Sequence, residues 1–217
     1  MINVHPTFPR WLPAQLRKGW LLSRKINRLF CRIIDDSAAE SLFAVEGQIN
    51  ARQCAILFYF AYSQDGAGRI VEIGSFKGKS TVWLAKALQL HGSKEKVLAV
   101  DPHINTRYDA FLSNVSKLEL STWVEPVRNT SEQAAKNWNQ SIKLLFIDGS
   151  HRYEDVLLDL QLWVPWVKPG GVIIMDDTDP SGNFPGVLRA INEYLRCDKN
   201  FKELLQSGKL TVFEKTV

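Results

Sequence analysis

The sequence predicts an α/β fold: a mostly parallel, seven-stranded sheet with a C-terminal antiparallel hairpin and an N-terminal helical extension. Three observations predict it. From residue 69 onward, short apolar runs alternate with amphipathic helical patterns, the mark of parallel strands covered on both faces. The first run, within RIVEIGSFKGKS (residues 69–80), passes through a glycine-punctuated turn directly into a helical pattern. The tail then breaks the alternation, because residues 201–205 and 210–213 flank Gln206-Ser207-Gly208-Lys209 as a hairpin would.

Taken in order, residues 1–13 are proline-rich (Pro6, Pro9, Pro13) and are expected to lie extended. Residues 14–34 have a helical period: Leu22, Ile26, Leu29, Phe30, Ile33 and Ile34 share one stripe, with Arg24, Lys25, Arg28 and Arg32 between them. Such a helix packs on its own domain or on a second copy of the chain. Contact with a membrane surface is the sharper alternative. Residues 35–39 look like a break. A helix over 48–62 ends before the Asp65-Gly66-Ala67-Gly68 turn. Strands are expected at 69–75, 96–101, 123–127, 142–148 and 172–175, and helices at 79–90, 108–120, 131–138, 153–167 and 186–196. This divides the chain into an arm, 1–45, and a body, 46–217.

The 217 residues are 45% hydrophobic and 23% charged, ordinary for one globular domain. The net charge of +4 is uneven: residues 1–34 hold seven Arg and Lys and no acid, leaving 20 basic and 23 acidic residues elsewhere. The body is therefore slightly acidic, and no nucleic-acid partner is expected. Cys31, Cys54 and Cys197 have neither zinc spacing nor the density of a disulfide framework, which points to a reducing cytoplasm. No apolar run has the length of a membrane span, and prolines and arginines interrupt any signal-peptide core.

The turn after the first strand is where such folds hold a small polar ligand. A phosphate-binding P-loop needs four residues between its glycines, and Gly74 and Gly78 are separated by only Ser75, Phe76 and Lys77. The dinucleotide pattern G-x-G-x-x-G is absent. A nucleoside ligand without phosphates tolerates the glutamate at the strand end. E-x-G-x-x-x-G, here Glu72, Gly74 and Gly78, resembles motif I of class I methyltransferases, whose donor is S-adenosylmethionine. The plain alternative is a strand-to-helix turn that binds nothing.

Asp101 ends the second strand 29 residues after Glu72, a position from which a carboxylate accepts ribose hydroxyls. It is equally an ordinary turn residue before Pro102. Thr130 and Ser131 follow the third strand, where they would meet an adenine edge, although Ser131 also serves as a helix cap. The expected donor-binding set is Glu72, Gly74, Ser75, Gly78, Ser80, Asp101, Ser131 and Asp148.

Residues 146–178, FIDGSHRYEDVLLDLQLWVPWVKPGGVIIMDDT, carry D-G-x-H-x-Y, K-P-G-G and D-D. The set resembles a bacterial family of class I methyltransferases related to macrolide-sugar O-methyltransferases. The resemblance implies a Rossmann-like methyltransferase fold, S-adenosylmethionine as donor and, in the sugar-methylating branch, a divalent metal. Independently, Asp148, Asp176 and Asp177 end strands expected to be neighbours, and carboxylates brought together repel unless a cation neutralises them. Oxygen ligands suit Mg²⁺ or a similar hard ion. Some of these acids would otherwise cap helices or bind the donor. His151 is expected to act with Asp148 in catalysis, against the ordinary role of a hydrogen-bonding loop residue. The whole points to methylation of a hydroxyl on a sugar or other ring-bearing small molecule. A non-catalytic binding protein on the same scaffold and a metal-independent methyltransferase are the alternatives.

Overall fold

The computed structural model describes residues 24–179 and 181–217. The expectations for residues 1–23, including the proline-rich stretch, Leu22 and the first part of the basic helix, lie outside the described residues. Within them, the arm supplies helices α1 (Arg24–Ile33) and α2 (Asp36–Phe43), and α3 (Ala51–Ser63) leads into the sheet. The body then alternates β1 (Arg69–Ile73), α4 (Lys79–His91), β2 (Val97–Val100), α5 (Arg107–Lys117), β3 (Val124–Val127) and α6 (Ser131–Ala135). It continues with β4 (Ile142–Ile147), α7 (Tyr153–Trp163), β5 (Val167–Met175), α8 (Pro185–Ile191), β6 (Phe201–Ser207) and β7 (Leu210–Lys215).

The strands form one seven-stranded sheet in the order β3-β2-β1-β4-β5-β7-β6. β1 to β5 run parallel, and β7 inserts antiparallel between β5 and β6. The parallel strands are apolar almost throughout because both of their faces are covered. Ile70, Ala99, Leu144, Val172 and Ile174 belong to the core shared with α1–α5. Val71, Leu98, Leu145, Ile173 and Met175 belong to the core on the opposite face, with α7 and α8. Strand order reverses between β1 and β4, so the loops after those strands part and open a crevice there.

The apolar stripe of α1 is turned inward. Ile26, Phe30 and Ile34 are buried, and the Phe30 ring meets Phe58 at 5.7 Å and Trp83 at 5.5 Å between centroids. Three local expectations are corrected. The break expected over 35–39 is confined to Ile34 and Asp35: Asp35 accepts a hydrogen bond from the Ala38 N–H (2.8 Å) and so caps α2, which begins at Asp36. The K-P-G-G segment lies inside β5, at a register irregularity against β4, with Gly170 at φ +73°. The tail hairpin turns on only Gly208 and Lys209, because Gly208 at φ +60° permits a tight connection. All three cysteines are free. No helix among the described residues is long and apolar enough to cross a membrane.

Candidate active site

Beside the point of strand reversal lies a cleft of about 640 Å³. Of the residues singled out in the sequence, Gly74, Ser75, Ser80, Asp101, Thr130, Ser131, Asp148 and His151 line it. Glu72, Gly78, Asp176 and Asp177 are not among the lining residues.

Gly74 lets β1 and β4 approach at the cleft floor. Its φ is +90°, and a Cβ there would come within 2.0 Å of the Asp148 carbonyl oxygen. Gly78, at φ +89°, starts α4 without a side-chain cap and faces the Phe111 ring, 3.1 Å from where a Cβ would stand. Between them, the Phe76 backbone also adopts a positive φ of 46°, and its N–H donates to Asp101 Oδ2 (2.9 Å). Asp101 Oδ1 accepts the His103 N–H at 2.6 Å, so this one carboxylate ties the loops after β1 and β2 together.

Glu72 is fully buried. Thr81 Oγ1 donates to its Oε2 at 2.5 Å, while Oε1 has no hydrogen-bond partner. Burial pushes its carboxyl up to about 7, against the opposing hydrogen bonds of Ser80 and Thr81. Ser131 is also committed: its Oγ accepts the Trp163 indole N–H (2.8 Å) and hydrogen-bonds Asp159. Asp159, a cleft residue not singled out in the sequence, is raised to about 6, chiefly by burial.

Beside Gly74, Asp148, His151 and Asp177 each place one ligand atom within 4.8 Å of the others. Burial raises Asp148 well above the ordinary carboxylate range, and Asp176 and Asp177 push it in the same direction. Asp177, at φ +54°, accepts from His151 Nε2 on Oδ2 (2.7 Å) and from Lys209 Nζ on Oδ1 (2.9 Å). The His151 ring stacks on Phe184 at 3.9 Å. Asp176 was expected in the metal set, but its Oδ1 is taken by Gln53 Nε2 (2.6 Å) and by the Asp177 N–H (2.8 Å). Burial brings Asp176 to about 6. Gln53 and Lys209 had no signal in a linear reading, since they lie 123 and 32 residues from their partners.

A divalent cation fits this donor set. Two carboxylates and an imidazole converge, and the neighbouring Asp176 and Asp177 carboxylates add to burial in raising Asp148. Asp148, Asp177 and His151 are the residues that would hold it.

A family profile described as a methyltransferase domain matches residues 71–178. The uncharacterised protein R132 of Acanthamoeba polyphaga mimivirus is 30% identical over 159 residues, which is 66% of this chain and 63% of that protein. This chain thus spans less than two thirds of that relative's length. Among solved structures, cofactor-bound Rv0187 from MTB superimposes with a TM-score of 0.68 at 18% identity, covering 87% of this chain and 94% of that one. The O-methyltransferase TomG from Streptomyces achromogenes, involved in tomaymycin synthesis and solved in complex with SAM, gives 0.64 at 20% identity, with coverages of 85% and 91%. The chain therefore has the Rossmann-like fold of class I methyltransferases, and a match to a methyltransferase domain runs from its first strand to just past its fifth.

Proposed function

We propose that this protein is an S-adenosylmethionine-dependent methyltransferase acting on a hydroxyl oxygen of a small molecule. The observation that carries the reading is one cleft lined by two chemically distinct groups. A glycine-built loop held by Asp101 supplies one, and Asp148 with His151, packed directly against Gly74 through the Asp148 backbone, supplies the other. The methyltransferase-domain match and the structural likeness to TomG, itself an O-methyltransferase bound to SAM, support it.

The donor side needs close backbone approach, and Gly74 supplies it. Each Asp101 oxygen accepts one backbone N–H and keeps a further lone pair for a ribose hydroxyl. With the Ser131 hydroxyl committed to Trp163 and Asp159, adenine would meet the backbone at 130–132 instead. Glu72, behind the loop, serves the donor by holding Thr81 in the first turn of α4.

In the transfer itself, the acceptor oxygen attacks the methyl carbon, the carbon–sulfur bond breaks, and S-adenosylhomocysteine leaves. Aligning the reactants is the main task, and alignment can supply roughly 7–11 kcal/mol. The acceptor proton must also go somewhere. Asp148, which lines the cleft beside His151, would take it. With His151 Nε2 held 2.7 Å from Asp177 Oδ2, its Nδ1 would be the nitrogen left to take a proton. When bound at Asp148, Asp177 and His151, a divalent cation supplies positive charge that acidifies an acceptor hydroxyl.

The test uses methyl-labelled donor with phenolic and sugar hydroxyls as acceptors. EDTA should abolish transfer and Mg²⁺ restore it, with S-adenosylhomocysteine affinity unchanged. His151→Ala should lower kcat by about a hundredfold or more at unchanged donor affinity. Full turnover after exhaustive chelation would remove the metal from the account, and full turnover of the His151 variant would remove its role.

A further inference from the structure

Lys209 is the cation that the structure itself brings to the carboxylates beside the cleft. Its Nζ lies 2.9 Å from Asp177 Oδ1, and that bond raises its pKa, with Asp177, Asp176 and Asp148 adding their fields. The lysine occupies the two-residue turn between β6 and β7, outside every motif read in the sequence. Its position is fastened from the backbone as well. The Lys209 carbonyl oxygen accepts both the N–H (2.8 Å) and the hydroxyl (2.9 Å) of Thr178, the residue next to Asp177. Thr211 donates in turn to Thr178 Oγ1 at 2.7 Å. Phe184 is shared by both side chains bonded to Asp177, stacking on His151 and lying 5.7 Å from the Lys209 ammonium.

We propose that Lys209 is the resident counter-ion of this carboxylate group, and that a divalent cation takes Asp177 by displacing the ammonium. The hairpin turn thereby sets the metal affinity of the site. The inference rests on the reading that Asp148, Asp177 and His151 take a divalent cation. An ammonium bonded to Asp177 Oδ1 fills a position the cation needs, and two cations that close together repel. Because the turn is latched to Thr178, the ammonium has to swing out on its own flexible stem while the backbone stays in place. The arrangement keeps Asp177 neutralised before metal arrives and makes metal loading a competition.

Titration of the full chain with Mn²⁺, with free ion read by electron paramagnetic resonance, tests this directly. Lys209→Met and Lys209→Gln should bind Mn²⁺ at least tenfold more tightly than the wild type, while Lys209→Arg should stay near it. General damage to the fold would weaken the metal instead, so a gain distinguishes the proposed role from a structural one. Melting temperatures identify which variants remain folded. Equal or weaker binding in the folded Met and Gln variants, with Asp148→Asn weakening Mn²⁺ in every background, would overturn the role of Lys209 and leave the metal site standing. No bound Mn²⁺ in wild type or variants at millimolar ion would overturn both.

Discussion

Glu72 is a fully buried carboxyl group, held by Thr81 on one oxygen and by no protein hydrogen bond among the described residues on the other. Folding moves its pKa from an ordinary 4.5 to about 7. Between those values the folded chain binds more protons than the unfolded one, so the contribution of Glu72 falls as pH rises through that window. Ionised Glu72 therefore costs stability above pH 7, by roughly 3 kcal/mol for a shift of this size, and costs nothing below about 4.5. Glu72→Gln keeps an acceptor for Thr81 and removes the charge. Its melting temperature should equal that of the wild type near pH 4 and exceed it increasingly up to pH 8. Asp176 is shifted in the same direction without help from Glu72, so comparing variant with wild type cancels its share, whereas Asp148 feels the Glu72 charge and contributes to the same pH-dependent difference. A difference that does not change with pH would contradict the burial of this carboxyl.

At the scale of elements, α1 is part of the core rather than an appendage. Phe30 lies between Phe58 and Trp83 and is buried. Phe30→Ala should cost about 3–5 kcal/mol in urea unfolding, the range for a large aromatic lost from a packed interior. A cost below 1 kcal/mol would mean that the helix is not docked as described. The elements whose pattern is local could be read from the sequence. Those of the sheet from β1 to β4 follow from near-continuous apolar runs, and α4 from Gly78 onward. Elements decided by one backbone bond could not. Asp35 reads as a breaker until its side chain is seen accepting the Ala38 N–H. The K-P-G-G segment reads as a loop because proline and glycine are poor strand formers, yet it bulges between Val167 and Val172, both of which pair with β4, and so lies inside β5.

Across the whole molecule, the two groups at the cleft were legible to different degrees. Gly74, Gly78 and Asp101 close consecutive parallel strands or their turns, so sequence order alone brings them together. The carboxylate group is assembled from four separate stretches. Which of Asp148, Asp176 and Asp177 meet His151 depends on Gln53 in α3 and Lys209 in the hairpin, and no spacing rule connects those residues. The expected metal set named Asp176 beside Asp148 and Asp177; in the structure Asp176 bonds Gln53, and His151 stands beside Asp177. The central claim is that this cleft binds the methyl donor, and calorimetric titration tests it most directly. S-adenosylhomocysteine should bind at one site per chain, and ATP should give no heat, because the loop lacks the length of a phosphate cradle. Asp101→Ala removes charge-assisted hydrogen bonds each worth about 1.5–3 kcal/mol, so its affinity should fall roughly tenfold to a hundredfold. Binding of ATP in place of S-adenosylhomocysteine, or an unchanged affinity in a folded Asp101→Ala protein, would contradict the account.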